Sequence, residues 1–405
     1  VPRRIFLRFS LAQAAPSLVG GVYVPFFPLW LAHQGMSPSQ MSFVFAACMF
    51  TRVIVSPIVG IAADALGDRR AVAMACVALS TGFFIALGLA GPVWGFAAIL
   101  PLMILATPLN SATSPIIEGV TARGAIDYRF DYAQARMFGS LAFVAGNYFG
   151  GVAIGVTGPG AIVWIVTVAV AACFLAFLPL PPLLSDRRGT QKRPMGKALR
   201  RTFSEARVLL KKPVFRLFLA ATALAQASHA VFYTFGTLTF RGFGYSDDYI
   251  GFLWAAGTMA EVLLFAFQAY LFRRWTPTGL IVLGAAIGVV RWIGMAFDTG
   301  PVGALVLQLG HAATFGLVHL GTMRFLALAV PVRLTATGQS LFAVIAFGLV
   351  MGIVTLASGW LYETTGPHAY LFMAALSLAA LALTLALSRA WSGRNLFAFN
   401  TGRNT

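Results

Sequence analysis

Glu118, Glu261, Arg52, Arg136, Arg291, His229, His311 and His319 all stand inside long apolar runs of this 405-residue chain. In a bilayer such groups are costly, and they mark substrate or ion pathways where they pair inside a bundle. Their types point to two kinds of chemistry. A guanidinium offers a planar, two-pronged partner to a carboxylate. A carboxyl or an imidazole titrates within reach of physiological pH when burial and a neighbouring charge act on it.

The residues fall into two groups. Pro115 to Ser140, reading PIIEGVTARGAIDYRFDYAQARMFGS, places Glu118 in the last turns of one run and Arg136 in the first turns of the next. A short charged loop with Arg123, Asp127, Arg129 and Asp131 separates them, which predicts an acid facing a guanidinium across two neighbouring helices. The segments GTMAEVLL, GVVRWIG and LQLGHAATF then carry Glu261, Arg291 and His311 on three consecutive runs. His229 and His319 join this second group, and Tyr233, Phe235, Trp254, Trp292 and Phe315 are the candidate aromatics for lining a cavity. No nucleophile–base pair and no HExxH is present, so neither an enzyme nor a cofactor or metal is expected. Cys48, Cys76 and Cys173 all lie inside apolar runs and read as packing residues.

The elements that must position these groups are membrane spans. Apolar residues make up 59% of the chain and charged residues 10%, against about 25% charged in soluble domains. At about 20 apolar residues per span, twelve spans are predicted. They lie near 5–32, 40–63, 71–90, 93–121, 132–155, 160–182, 214–240, 247–271, 277–297, 301–326, 335–360 and 367–388. The first apolar run is too long for the core of a signal peptide and reads as the first span.

A formal net charge of +17 suggests nucleic acid until the positions of the charges are inspected. All of the 29 Lys and Arg except Arg52, Arg241 and Arg291 fall on one alternate set of loops and termini. That places both termini and the central loop in the cytoplasm. The basic stretch from Met195 to Leu210 reads as a helix lying on anionic lipid. No nucleic-acid partner is expected, since the loop lacks aromatic stacking platforms.

The halves repeat in parallel. LAQA at Leu11–Ala14 recurs at Leu224–Ala227. Asn110-x-Ala-Thr…Thr121-x-Arg123 recurs as His311-x-Ala-Thr…Thr322-x-Arg324, which sets Glu118 against His319. A third register sets Arg52 against Glu261. Parallel six-span halves with a solute site between them near the midplane describe the major facilitator architecture. The predicted domains are a six-helix bundle over 1–184, a basic cytoplasmic linker over 185–212 and a second six-helix bundle over 213–405.

Gly60, Asp64, Gly67, Arg69 and Arg70 resemble the loop-2–3 gating motif of the major facilitator superfamily. There Gly60 is expected to permit close helix approach and Asp64 to cap the neighbouring helix. ARMFGS at Ala135–Ser140, with its spacing back to Glu118, and VYVPFFPLWL at Val22–Leu31 resemble the lactose permease family. That resemblance implies that Glu118 and Arg136 contact the solute and that Phe143 stacks on it, where the family has Trp. It also implies that Glu261, Arg291 and His311 couple a proton. Two positions depart from the pattern: Thr314 replaces a carboxylate and Gln308 replaces a Lys. Over nearly its whole length the chain is more similar to the phenylpropionate permease family, through FDYAQARMFGSLAFVAG, ASHAVFYTF, GFLWAAGTMAEVLLFA, GVVRWIGMA and LQLGHAATFGLVHLGTMRFLA.

The expectation is a proton-coupled importer of a small organic solute, most simply an aromatic acid such as 3-phenylpropionate. Glu261 is the first choice of proton carrier, with His311 and His319 beside it. Solute contacts are expected from Glu118, Arg136, Phe143, His229, Tyr233, Trp254 and Arg291, and Arg52 is expected to neutralise an acid. An oligosaccharide–proton symporter is the alternative, followed by a transporter of a siderophore or other bulky solute and by a non-transporting scaffold. The protein is expected to be monomeric and multi-pass in the inner membrane.

Overall fold

A computed structural model describes residues 3–183 and 195–397. Val1, Pro2, residues 184–194 (the first part of the expected linker) and residues 398–405 lie outside the described residues. Among the described residues the chain is helical throughout, with no strand. The helices are α1 (Arg3–His33), α2 (Pro38–Leu66), α3 (Arg69–Trp94), α4 (Phe96–Tyr128), α5 (Tyr132–Thr157), α6 (Ile162–Phe177) and α7 (Met195–Leu210). They continue as α8 (Pro213–Ala227), α9 (Ala230–Gly242), α10 (Asp247–Leu271), α11 (Pro277–Met295), α12 (Gly300–Leu309) and α13 (Val318–Ala329). The last are α14 (Val332–Phe342), α15 (Met351–Thr365) and α16 (Ala369–Ala390).

Eleven stretches among the described residues are long and apolar enough to cross a membrane. The last of them, Val332–Ala390, has 59 residues, or about 90 Å of helix at 1.5 Å per residue. That exceeds twice the roughly 30 Å hydrocarbon core, so this stretch has the length of two crossings. A short 3₁₀ turn at Gly366–His368, opened by Gly366 at φ +57°, interrupts it.

Helix ends are fixed by local side chains. Ser37 and Gln40 form a reciprocal capping box at the start of α2, and Gly67 closes that helix in the left-handed conformation at φ +72°. Asp68, not Asp64 as the motif suggests, caps α3 by accepting from the Ala71 N–H at 2.9 Å. Asp131 caps α5 through the N–H groups of Ala133 and Gln134. Helix α4 runs on to Tyr128 and ends at Arg129, the one described non-glycine residue with positive φ. Arg123 and Asp127 therefore belong to the helix and not to the loop: with no breaker before Arg129, the helix continues past its apolar stretch.

The chain condenses into two compact units that divide several helices between them. One comprises Val1–Lys192, Val231–Met259 and Thr355–Gly366; the other comprises Arg193–Ala230, Ala260–Val354 and Pro367–Thr405. In the first unit, α1 and α5 meet along small residues, as membrane helices do where backbones approach closely. A Cβ on Gly21 would collide with the Phe143 carbonyl, and one on Gly146 would stand 2.8 Å from the Leu18 carbonyl. The same unit seats α5 on α10 at Gly151 and Gly251, each lacking room for a Cβ against the other. Asn147 Nδ2 donates to Thr258 Oγ1 one turn away, at 3.1 Å. In the second unit an apolar core of Phe215, Phe218, Phe325, Leu387 and Trp391 is anchored by Phe218 stacked on Phe325. There Gly284 and Gly321 bring α11 against the helix that follows His311.

Close packing and open space predict opposite outcomes at two glycines. Gly146→Val should lower the thermal midpoint of the purified protein in detergent, the overpacking costing about 1–3 kcal/mol. Gly60→Ala should not lower the midpoint, because no atom lies within 4 Å of the added methyl and Ala is the better helix former.

Candidate functional site

The second unit builds the more enclosed cluster of polar groups. Helix α12 ends at Leu309, loosens at Gly310 and continues over Ala312–Leu317 as a π-helix. Such bulges recur at functional sites. A Cβ on Gly310 would stand 3.4 Å from Arg291 Cδ and 3.1 Å from the Leu307 carbonyl. The bare glycine lets the Arg291 side chain cross from α11 and reach that carbonyl.

Arg291 is 2% exposed, and its donors are distributed over four acceptors. Nε donates to Leu307 O at 2.7 Å, Nη1 to Thr314 Oγ1 at 2.9 Å and Nη2 to Gln308 Oε1 at 3.3 Å. Nη1 also faces His311 Nδ1 at 3.5 Å. The guanidinium lies over the Trp292 ring, 4.3 Å from its centroid. Thr314 and Gln308, the two departures from the lactose permease pattern, are thus direct partners of this arginine.

These partners fix the histidine tautomers. His229, at the break between α8 and α9, has Nδ1 3.1 Å from the Gln226 carbonyl, which only accepts, so Nδ1 carries the proton. Its Nε2 then accepts from the Thr314 hydroxyl at 3.1 Å. His311 Nδ1 faces a guanidinium, which only donates, so the proton of the neutral ring sits on Nε2. That nitrogen lies 3.4 Å from Glu261 Oε2. A cation and an acid are therefore joined through one neutral imidazole, with a second imidazole held at the side by Thr314. Protonating Glu261 removes the negative charge and leaves its carboxyl beside His311 Nε2.

His319 stands two turns beyond His311, and Phe315 stacks between the two rings. Trp292, a candidate cavity aromatic, is buried and donates from Nε1 to Ser228 Oγ at 3.1 Å.

The first unit carries a more open group. Arg136 Nε lies 3.5 Å from Glu118 Oε1, with side chains 46% and 51% exposed. Tyr132, which the sequence did not single out, donates its hydroxyl to the same Oε1 at 2.8 Å. Phe143 is half-buried on the same helix, its ring 3.1 Å from where a Cβ on Gly20 would stand. Arg52 has Tyr23 and Cys48 within electrostatic reach. Phe235 stacks on Tyr362, and Trp254 is 5% exposed, stacked on Phe232 and bonded to Thr237 Oγ1. Tyr233 is half-buried beside Phe232.

In the gating motif Asp64 accepts from Arg69 at 2.6 Å, and Arg70 donates to the Leu178 and Leu180 carbonyls. Arg69 Nη1 reaches within 3.8 Å of a Cβ on Gly119, beside Glu118. Gly60 has open space beside it, so here it serves no close helix approach.

The family model described as MFS_1 like family matches residues 17–374. The chain belongs to this family, within the major facilitator superfamily. This major facilitator chain is 28% identical over 373 residues to a probable 3-phenylpropionic acid transporter of Escherichia coli (strain K12), covering 90% of this chain and 93% of that protein. It is 24% identical over 410 residues to the lactose permease of Klebsiella oxytoca, covering 95% and 94%. Among solved structures it is similar to the nucleoside transporter NupG, with a TM-score of 0.83 at 14% identity, covering 95% of this chain and 99% of that one. The fold is that of the superfamily, and the chain is a multi-pass membrane transporter, not an enzyme.

Thr314 is the point on which two cluster members depend. Thr314→Val should leave an Arg291 donor and His229 Nε2 without their partner and lower stability by about 1–3 kcal/mol. Thr314→Ser keeps the hydroxyl and should melt close to wild type in the same detergent scan.

Proposed function

We propose that this transporter is a proton-coupled symporter that imports a small organic solute, an aromatic acid such as 3-phenylpropionate, by alternating access. The observation that carries the reading is the chain from buried Arg291 through buried His311 to the partly exposed Glu261. An acid held against a cation through a neutral imidazole is a proton site whose occupancy responds to the charge beside it. In the empty carrier Arg291 favours ionised Glu261. When an anionic solute brings a second negative charge, protonation of Glu261 cancels it, and a neutral loaded site crosses the occluded state at less cost.

For the solute carboxylate, Arg136 is the more accessible guanidinium, whereas Arg291 is sealed among its four acceptors. A carboxylate taking both prongs of Arg136 would displace Glu118, which keeps its bond from Tyr132. Phe143 and Tyr233, on the same unit, are the half-buried aromatics we assign to the ring. The relative that is a probable 3-phenylpropionic acid transporter supports this class. We further propose that residues 1–184 and 213–405 are the two six-helix halves, joined by 185–212. In this reading the protein is monomeric in the inner membrane, with both termini cytoplasmic.

A second reading is an oligosaccharide–proton symporter. It is favoured by the half-exposed Glu118–Arg136–Tyr132 group, which offers hydroxyl-binding atoms, and by similarity to a lactose permease.

The test is uptake of labelled 3-phenylpropionate into proteoliposomes under an inward proton gradient, with lactose uptake run in parallel. Wild type should accumulate the aromatic acid, and Glu261→Gln should abolish accumulation while preserving exchange across the bilayer. Accumulation of lactose alone would replace the aromatic-acid reading with the sugar one. Unchanged accumulation in Glu261→Gln would remove Glu261 from the coupling role.

A further inference from the structure

Two imidazoles flank Glu261 along one face of the neighbouring helix, and they are not equivalent. His311, Phe315 and His319 form a ladder whose successive ring centroids are 5.5 and 5.9 Å apart, with ring planes within 13° and 4° of parallel. Glu261 lies against this ladder at Gly316: a Cβ there would stand 3.6 Å from Glu261 Cγ and 3.4 Å from Leu264 Cδ2. Gly316 falls between the two histidines in the sequence, and its missing side chain gives the acid room to lie between them. On one side Glu261 meets His311 Nε2. On the other side, Phe265, one turn from Glu261 along α10, packs edge-on against the His319 ring.

The second nitrogen of each ring decides what it can accept. His311 Nδ1 already faces the Arg291 guanidinium, so a second proton on that ring would set an imidazolium against a fixed cation. His319 Nδ1 is sealed from solvent with no hydrogen-bond partner, while the ring as a whole is partly exposed. The titratable and charged groups that face this ladder are Glu261 of α10, Arg291 of α11 and His229 at the end of α8. Phe347 is the neighbour from the second π-helical segment. Arg324, further along α13, is occupied by the Phe272 carbonyl at 2.8 Å and Gln268 Oε1 at 3.3 Å.

We propose that His319 is the exit station for the coupled proton: His311 orients Glu261, and His319 receives its proton and passes it toward the Arg324 end of the helix. Glu261 rests on His311, so its carboxyl first turns across the open face of Gly316 toward His319; the O–H proton then passes to a ring nitrogen of that neutral ring, leaving a carboxylate and an imidazolium. The imidazolium then releases a proton to water on the Arg324 side and returns to the neutral ring. The direction follows from charge: the carboxylate that remains is stabilised by Arg291 through His311, and the new cation forms away from that arginine. The step rests on the proton-coupled reading above and assigns its inward half.

The experiment compares wild type and His319→Gln in proteoliposomes, measuring gradient-driven net uptake of labelled 3-phenylpropionate and, separately, its exchange with both sides at equal pH. Gln keeps the size and hydrogen bonding of the ring but carries no proton. The expected result is a fall of about tenfold or more in net uptake, with exchange retained and the dependence of net uptake on internal pH lost. If wild type accumulates solute and His319→Gln matches it in rate and internal-pH dependence, the exit role is overturned while the symport reading stands. Loss of exchange along with net uptake would make His319 a packing residue and likewise overturn the role. A wild type that shows no gradient-driven accumulation removes the symport reading, and this inference with it.

Discussion

A guanidinium that is 2% exposed in an apolar chain is the constraint around which the second unit is arranged. An arginine stays charged under all physiological conditions, and each donor left without an acceptor at depth costs the full desolvation of that group. The surroundings of Arg291 meet that demand with four groups: the Leu307 carbonyl, the Gln308 amide, the His311 imidazole and the Thr314 hydroxyl. Arg291 in turn sets the tautomer of His311 directly and that of His229 through Thr314, in agreement with the Gln226 carbonyl. Arg291 thus orders the acceptors around it and meets Glu261 through His311.

The other charged group is organised differently. Glu118 and Arg136 are each about half exposed, and their helices are held by a glycine seam against α1 and by the Asp131 cap, not by a polar shell. Open charges are suited to exchange one partner for another, whereas enclosed ones hold their geometry while a proton moves. The two groups fall in different compact units.

Much of this was legible in the sequence, and the failures have physical causes. Span positions follow from hydropathy because a bilayer admits helices and little else. The grouping of Glu261, Arg291 and His311 followed from three apolar runs in sequence, each with one ionisable residue. The partners of Arg291 were not legible, because hydrogen bonding depends on helix rotation, and the π-helical stretch after His311 rotates Thr314 and Phe315 away from ordinary α-helical register. A faint signal did exist. The repeat aligns Asn110-x-Ala-Thr with His311-x-Ala-Thr, and both threonine hydroxyls lie near the carbonyl three residues earlier. Thr113 donates to it at 2.6 Å, while Thr314, whose proton goes to His229, stands 3.4 Å away. Asp64 and Asp68 both lie just before α3, and only backbone geometry shows that Asp68 caps it while Asp64 accepts from Arg69.

The central claim is that Glu261 takes a proton when the solute binds. It is tested most directly by mixing purified protein with 3-phenylpropionate in weakly buffered detergent solution and following proton uptake with an indicator dye. Wild type should take up close to one proton per solute bound, and Glu261→Gln should bind solute with no uptake. Equal uptake by both proteins, or binding to wild type with no uptake at all, would contradict the account.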